Sequence, residues 1–160
     1  MKAKVIMIAT VFVLVFAGIL YTYKVFTVAA RIGRNEEIFS SNIVLASKNA
    51  TIVLNELTTF EWDKVYFFDP YVSKKEIYET IGFYWNGIQQ QTREDSMQIL
   101  FVNKGNVVCY CSGSGMDNGY FINGDLSESS RELEKEDDPV LTCDSALSDK
   151  LGYICLKIHR

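Results

Sequence analysis

Four cysteines, Cys109, Cys111, Cys143 and Cys155, are the residues of this 160-residue chain whose chemistry depends most on placement. In an oxidising compartment an even count implies disulfides, and four cysteines allow three pairings. Cys109 and Cys111 stand at i and i+2, so on an extended strand they share a face. A pair so close is poorly set to bridge itself. Each is expected to reach Cys143 or Cys155 on a neighbouring segment. Free thiols acting as small buried hydrophobes are the alternative. C-x-C with two distant cysteines lacks the spacing of a zinc site, and C-x-x-C is absent. No metal and no cofactor is read from the sequence.

The remaining chemistry-bearing types make no catalytic constellation. His159 is the single histidine and stands next to the C-terminal residue, where a Ser-His-Asp or Cys-His system is poorly supported. Glu61 and Asp63 alternate on one strand face and are the carboxylates on which a small enzyme could be built. Gly113-Ser114-Gly115 with Gly119 departs from both phosphate-loop spacings and reads as a flexible hairpin end. The acidic run Glu132 to Asp138 lacks the alternating ligands of a calcium loop. Trp62, Tyr66, Tyr71, Tyr78, Phe83, Tyr84 and Trp85 crowd into 24 residues. Most must fill a core. Trp62, Tyr71, Tyr84 and Trp85 are the expected binding surface, because Tyr and Trp are favoured at interfaces.

These residues must be positioned by a chain whose first feature is Val5 to Tyr23, nineteen residues without a charge. As a helix at about 1.5 Å per residue it approaches the ~30 Å hydrocarbon core of a bilayer. A lone apolar span in lipid must be helical, since nothing else satisfies its backbone. Tyr21 and Tyr23 end the run where aromatic rings favour the interface. Lys2 and Lys4 lie on the near side; Lys24, Arg31 and Arg34 lie beyond, among Glu36 and Glu37. The positive-inside rule then places the N-terminus in the cytoplasm and the remainder outside it. The alternative is a signal peptide cut after Val28-Ala29-Ala30, giving a secreted protein. The run exceeds an ordinary signal core, which favours the uncleaved anchor.

The organisation read from this is a tail over 1–4, a membrane helix over 5–23 (or a signal peptide to 30), a helical linker over 24–56, and one domain over 57–160. The chain holds sixteen basic and twenty acidic residues; without Lys2 and Lys4 fourteen basic remain against twenty acidic, a balance of −6. An acidic exterior argues against nucleic acid and is a poor match for an anionic lipid surface.

Within the outer part, Arg31 to Glu56 reads as helix with Asn35 as N-cap, although Thr51 to Leu57 also suits a strand. Asn49-Ala50-Thr51 matches a glycosylation sequon. Phe60 to Phe68 reads as an aromatic strand ended by Asp69-Pro70. Ser73-x-x-Glu76 is a capping box opening a helix that Gly82 closes. Met97–Val102 and Val107–Cys111 are strands joined by the hairpin signal Asn103-Lys104-Gly105-Asn106. Tyr120 to Ile122, Val140 to Cys143 and Gly152 to Ile158 follow as strands. Residues 125–139 read as an acidic loop. The fold expected is α+β: one antiparallel sheet of four or five strands, with one or two helices on a face.

The stretch Glu61 to Gly82, with its pattern W-D-x-x-Y-x-F-x-P-Y-x-S-x-x-E-I, and Gln98 to Tyr110 resemble uncharacterised small bacterial envelope proteins anchored by one N-terminal span or a lipid. That resemblance covers Phe60 to Tyr110 and implies a bacterial envelope location; it carries no assigned activity and no functional residues. The order of helix then meander is also similar to the β-lactamase-inhibitor-like fold of envelope interaction modules, at the level of fold alone. The function expected is a membrane-anchored, extracytoplasmic, non-catalytic domain that binds a protein or another envelope component. The alternatives are an enzyme using Glu61 and Asp63, or a thiol-dependent redox or metal protein.

Overall fold

A computed structural model describes residues 2–47, 51–123 and 130–159, with side chains from Thr10 onward. It opens on one helix, α1, Lys2–Ala46, of 45 residues. At 1.5 Å per residue it is about 68 Å long. The expected break at Asn35 is absent. Asn35 is buried in mid-helix, and its side-chain amide donates to the Val108 carbonyl at 2.7 Å. An N-cap residue and a tertiary tie look alike in one-dimensional pattern; here the partner is 73 positions away.

The elements after α1 are β1 (Thr51–Val53), α2 (Leu54–Leu57), β2 (Lys64–Phe68), α3 (Lys74–Ile81), β3 (Ser96–Asn103), β4 (Asn106–Ser114), α4 (Gly115–Asn118), β5 (Tyr120–Asn123), β6 (Ser130–Glu134), β7 (Val140–Cys143), α5 (Ser145–Leu151) and β8 (Ile154–His159). The α+β class is as expected, with mostly antiparallel pairing, but the strands form two sheets where one was read. The first has the order β4-β3-β2-β6 and the second β1-β7-β8-β5. In the second, β5 runs parallel to β8 while the other pairs are antiparallel.

The sheets enclose one core. Val65 and Phe67 of β2, Ile99 and Phe101 of β3, Cys109 and Cys111 of β4 and Leu133 of β6 meet Tyr120, Ile122, Leu141, Leu156 and Ile158 of the other sheet. Phe39 and Ile43 of α1 close it. Phe101 is its centre: Phe39, Phe60 and Trp62 each meet its ring edge-on, with centroids 5.0–5.4 Å apart. A second cluster covers the opposite face of the first sheet, where Tyr66, Phe68, Leu100, Val102, Val107 and Tyr110 pack under Ile77, Ile81, Ile88 and Ile32. Burial on both faces is why β3 shows no alternation of apolar and polar residues.

Several local readings are reproduced at the atomic level. Ser73 and Glu76 form the reciprocal capping box of α3, and Gly82 ends it at φ +81°. The hairpin tip has Lys104 at φ +50° and Gly105 at φ +72°, the mirror-image turn that suits strand twist. The acidic loop over 125–139 needs correction where it is described. Ser130–Glu134 is a strand paired with β2 along its length, and Lys135–Asp137 is a single 3-10 turn. Leu133 points into the core, whereas Glu132 and Glu134 lie along Lys64 on the other face. Residues 125–129 of that loop, and Asn49-Ala50 of the sequon, lie outside the described residues.

Candidate functional site

α1 changes character along its length. Its first part contains an 18-residue window of mean hydropathy 1.9, none of it buried, long and apolar enough to cross a membrane. From Ile32 onward a single stripe turns inward: Ile32, Asn35, Phe39 and Ile43, spaced by three or four residues. Polar side chains flanking that stripe fix the helix in rotation. Ser40 Oγ lies 3.0 Å from the Tyr120 hydroxyl, and the Asn42 amide donates to the Leu57 carbonyl at 2.9 Å. With Asn35 on Val108, the helix covers the outer edge of β4, which otherwise would offer free backbone groups.

Where α1 meets the domain, two adjoining clefts run along it. One, of about 600 Å3, lies between Lys24, Val28, Arg31, Ile32 and Asn35 of the helix and Phe60, Glu61, the loop Phe83–Trp85 and the hairpin Asn103–Val107. The other, of about 440 Å3, continues toward the apolar run between Tyr21, Lys24, Val25, Val28, Ala29 and Ile32 on the helix and Trp85, Asn86 and Gly87 on the domain. The loop from Phe83 to Gly87 therefore reaches back beside the last turn of the apolar segment.

Each wall has a local cause. Lys104 holds the hairpin tip in place, because its backbone N–H donates to the Asp63 carboxylate at 2.8 Å. Trp85 stands edge-on to Tyr110 with centroids 5.2 Å apart. Its carbonyl accepts from the Tyr78 hydroxyl at 3.1 Å, tying the loop to α3. The indole also lies across Gly87, where a Cβ would fall 2.3 Å from ring atoms. Glycine there is a condition for the position of Trp85.

The four aromatic residues expected on one binding surface separate. Trp62 is 3 % exposed and belongs to the core, donating its indole N–H to Thr58 Oγ1 at 3.0 Å. Tyr71, 57 % exposed at φ +71°, lies beyond the end of β2 remote from the hairpin. Tyr84, 74 % exposed, and Trp85, half-buried, stand together on the helix-side cleft. Alternation along Phe60 to Phe68 gave Trp62 an outward option that burial on both faces removes.

The disulfide expectation is also corrected: Cys109, Cys111, Cys143 and Cys155 are all free thiols. Cys109 and Cys111 share the inner face of β4 with sulfurs 3.8 Å apart, too far for a bond. Cys155 alternates with Leu156 and so faces away from that core, beneath α5, where its N–H donates to Ser148 Oγ at 2.9 Å. The period of two that placed Cys109 and Cys111 together also keeps Cys155 apart from them. Hydrogen bonding to Cys111, with burial, pushes the Cys109 thiol far above its usual range.

Glu61 and Asp63 do not converge on a cleft as paired catalytic groups. Glu61 reaches Lys135 at 3.4 Å with its side chain 86 % exposed, and Asp63 caps the hairpin tip. His159 Nε2 lies 2.9 Å from Thr142 Oγ1 on the outer face of the second sheet. Ser114, Gly115 and Gly119 build the short helix α4: Ser114 caps it and Gly119 ends it at φ +76°. Among the described residues no group of three or more His, Cys, Asp or Glu side chains is placed to hold a metal ion.

No protein-family model, curated protein or solved structure matches this chain. The functional reading therefore rests on the geometry of α1 and the clefts beside it. Sequence reasoning had no hold on Lys104 or Gly87 as wall residues; the Asn-Lys-Gly-Asn turn located the hairpin but not its approach to α1.

Proposed function

We propose that the chain is a single-pass membrane protein of a bacterial envelope, with its N-terminus in the cytoplasm. Its α+β domain, outside the cytoplasm, is a non-catalytic interaction module that binds a protein or another envelope component. The observation that carries this reading is the uninterrupted α1, which leads from an exposed apolar segment straight into the domain core. A domain on such a helix is held at a fixed height and orientation over the bilayer, a use of structure that suits recognition.

Three further features support it. Lys2 and Lys4 flank the apolar run on one side, while the basic residues on the other are interspersed with Glu36 and Glu37. Val28-Ala29-Ala30 lies in mid-helix with Val28 packed on the second cluster, so cleavage there would require unwinding a docked helix. Glu61 pairs with Lys135, Asp63 caps the hairpin tip, and Cys109 and Cys111 pack in the core. The resemblance of the W-D-x-x-Y segment to envelope proteins is the support for a bacterial setting.

The test is a pair of C-terminal fusions expressed in bacteria. Alkaline phosphatase is active only outside the cytoplasm, and a fluorescent protein exported in unfolded form stays dark there. Active phosphatase, a dark fluorescent fusion and an intact N-terminus in the carbonate-washed membrane are expected. A bright fluorescent fusion, or a chain beginning at Arg31, contradicts the proposed topology. Turnover of a substrate by the purified protein, abolished in Glu61→Gln or Asp63→Asn, contradicts the non-catalytic reading.

A further inference from the structure

The clefts beside α1 differ in charge from the chain that contains them. The chain carries a net charge of −4. The larger cleft nevertheless gathers Lys24, Arg31 and Lys104 against a single carboxylate, Glu61. Glu61 is already engaged by Lys135 at 3.4 Å. Lys24 and Arg31, seven residues apart, stand about two turns from each other on one helix face. Lys104 faces them from the hairpin tip, held there by the Asp63 bond to its own N–H. The smaller cleft adjoins this cationic set and is apolar, with Val25 and Val28 opposite Trp85. It runs to Tyr21, at the end of the uncharged segment.

An occupant that matches both parts carries a negative head and an apolar tail, and the tail leaves the protein where the bilayer begins. We propose that these joined clefts hold one anionic phospholipid of the membrane that α1 enters. The phosphate lies among Lys24, Arg31 and Lys104, and an acyl chain lies in the groove under Trp85. A soluble phosphate compound would leave the apolar groove empty, and an acidic peptide would have to enter at the bilayer surface. The proposal rests on α1 being a membrane anchor, and it names one envelope component that the domain recognises. It also gives a role to local charge: three exposed cations brought to one cleft attract an anion even where the average surface repels it.

The experiment uses the full chain in phosphatidylcholine vesicles that contain a minor fraction of acyl-brominated lipid. The brominated lipid is either phosphatidylglycerol or phosphatidylcholine. Bromine quenches tryptophan on contact. Trp62 lies in the core, so Trp85→Phe supplies the background and the difference reports Trp85. Stronger quenching of Trp85 by the brominated anionic lipid is expected. Arg31→Gln and Lys104→Asn should each weaken that preference about fivefold, the effect of one cation near an anionic surface. Asparagine suits the positive φ at position 104. Lys150→Gln, on α5, should leave the preference unchanged. Equal quenching by the two lipids, or a preference that survives loss of both Arg31 and Lys104, overturns the inference while the chain stays embedded. Release of the chain from vesicles by alkaline carbonate overturns the anchor as well.

Discussion

The two halves of α1 are one helix with two kinds of surface. Upstream of Thr27, Val11 to Phe16, Ile19, Leu20, Val25 and Phe26 are exposed on every side. Downstream, the stripe of Ile32, Asn35, Phe39 and Ile43 is buried in the domain, and Ser40 and Asn42 beside it are tied to Tyr120 and Leu57. A helix apolar all round needs an apolar medium, whereas one with a single stripe needs a partner surface. The contrast separates anchoring from folding. The upstream half contributes nothing to the domain core, and the downstream half is part of it. Where they meet, Lys24 and Val28 line both clefts, and Val28 packs on the second cluster.

The sharpest way to break that contrast is to truncate an aromatic residue in each half. Phe39→Ala removes a fully buried ring against Phe101 and is expected to destabilise the domain by about 3–5 kcal/mol in denaturant unfolding. Asn35→Ala should cost less, about 1–3 kcal/mol, by leaving the Val108 carbonyl without its donor; a full-strength loss in Asn35→Asp as well would tie the effect to the amide. Ser73→Ala, remote from α1, should cost about 1 kcal/mol through the lost cap of α3. Its cost should depend on pH. Hydrogen bonds from the Ser73 hydroxyl and backbone hold the Glu76 carboxyl below its ordinary value of 4.5. A depressed carboxyl stabilises the fold above that ordinary value and loses the contribution as pH falls through the folded value. The Ser73→Ala penalty should therefore be complete at neutral pH and shrink in acid. Phe16→Ala should leave domain unfolding within about 0.5 kcal/mol of the parent chain. A domain as sensitive to Phe16 as to Phe39 would erase the distinction between the halves.

What was legible in the sequence was local. The uncharged run needs only a count of residues, the capping box of Ser73 and Glu76 spans a single turn, and the Asn-Lys-Gly-Asn hairpin encodes its own positive φ angles. What was not legible depends on distant partners. The parallel pairing of β5 with β8 joins residues 34 positions apart, Tyr120 with Ile154. The strand Ser130–Glu134 was hidden by its charges: one leucine, Leu133, faces the core, and Glu132 and Glu134 satisfy Lys64 on the neighbouring strand. The cleft was hidden by averaging. A net acidic balance says nothing about three cations that the fold brings to one place. Tyr84 and Trp85 were marked by type alone, and only packing separates them from Trp62.

The central claim is that α1 is continuous from the apolar run into the core, with no joint at its boundary. Amide hydrogen exchange of the full chain in vesicles, read peptide by peptide, tests it directly. Unbroken protection from Tyr21 to Ile43 is the expected result, since every amide there lies inside one helix. Fast exchange confined to Thr27–Arg31 would mean two helices joined by a hinge, and would contradict the rigid placement of the domain.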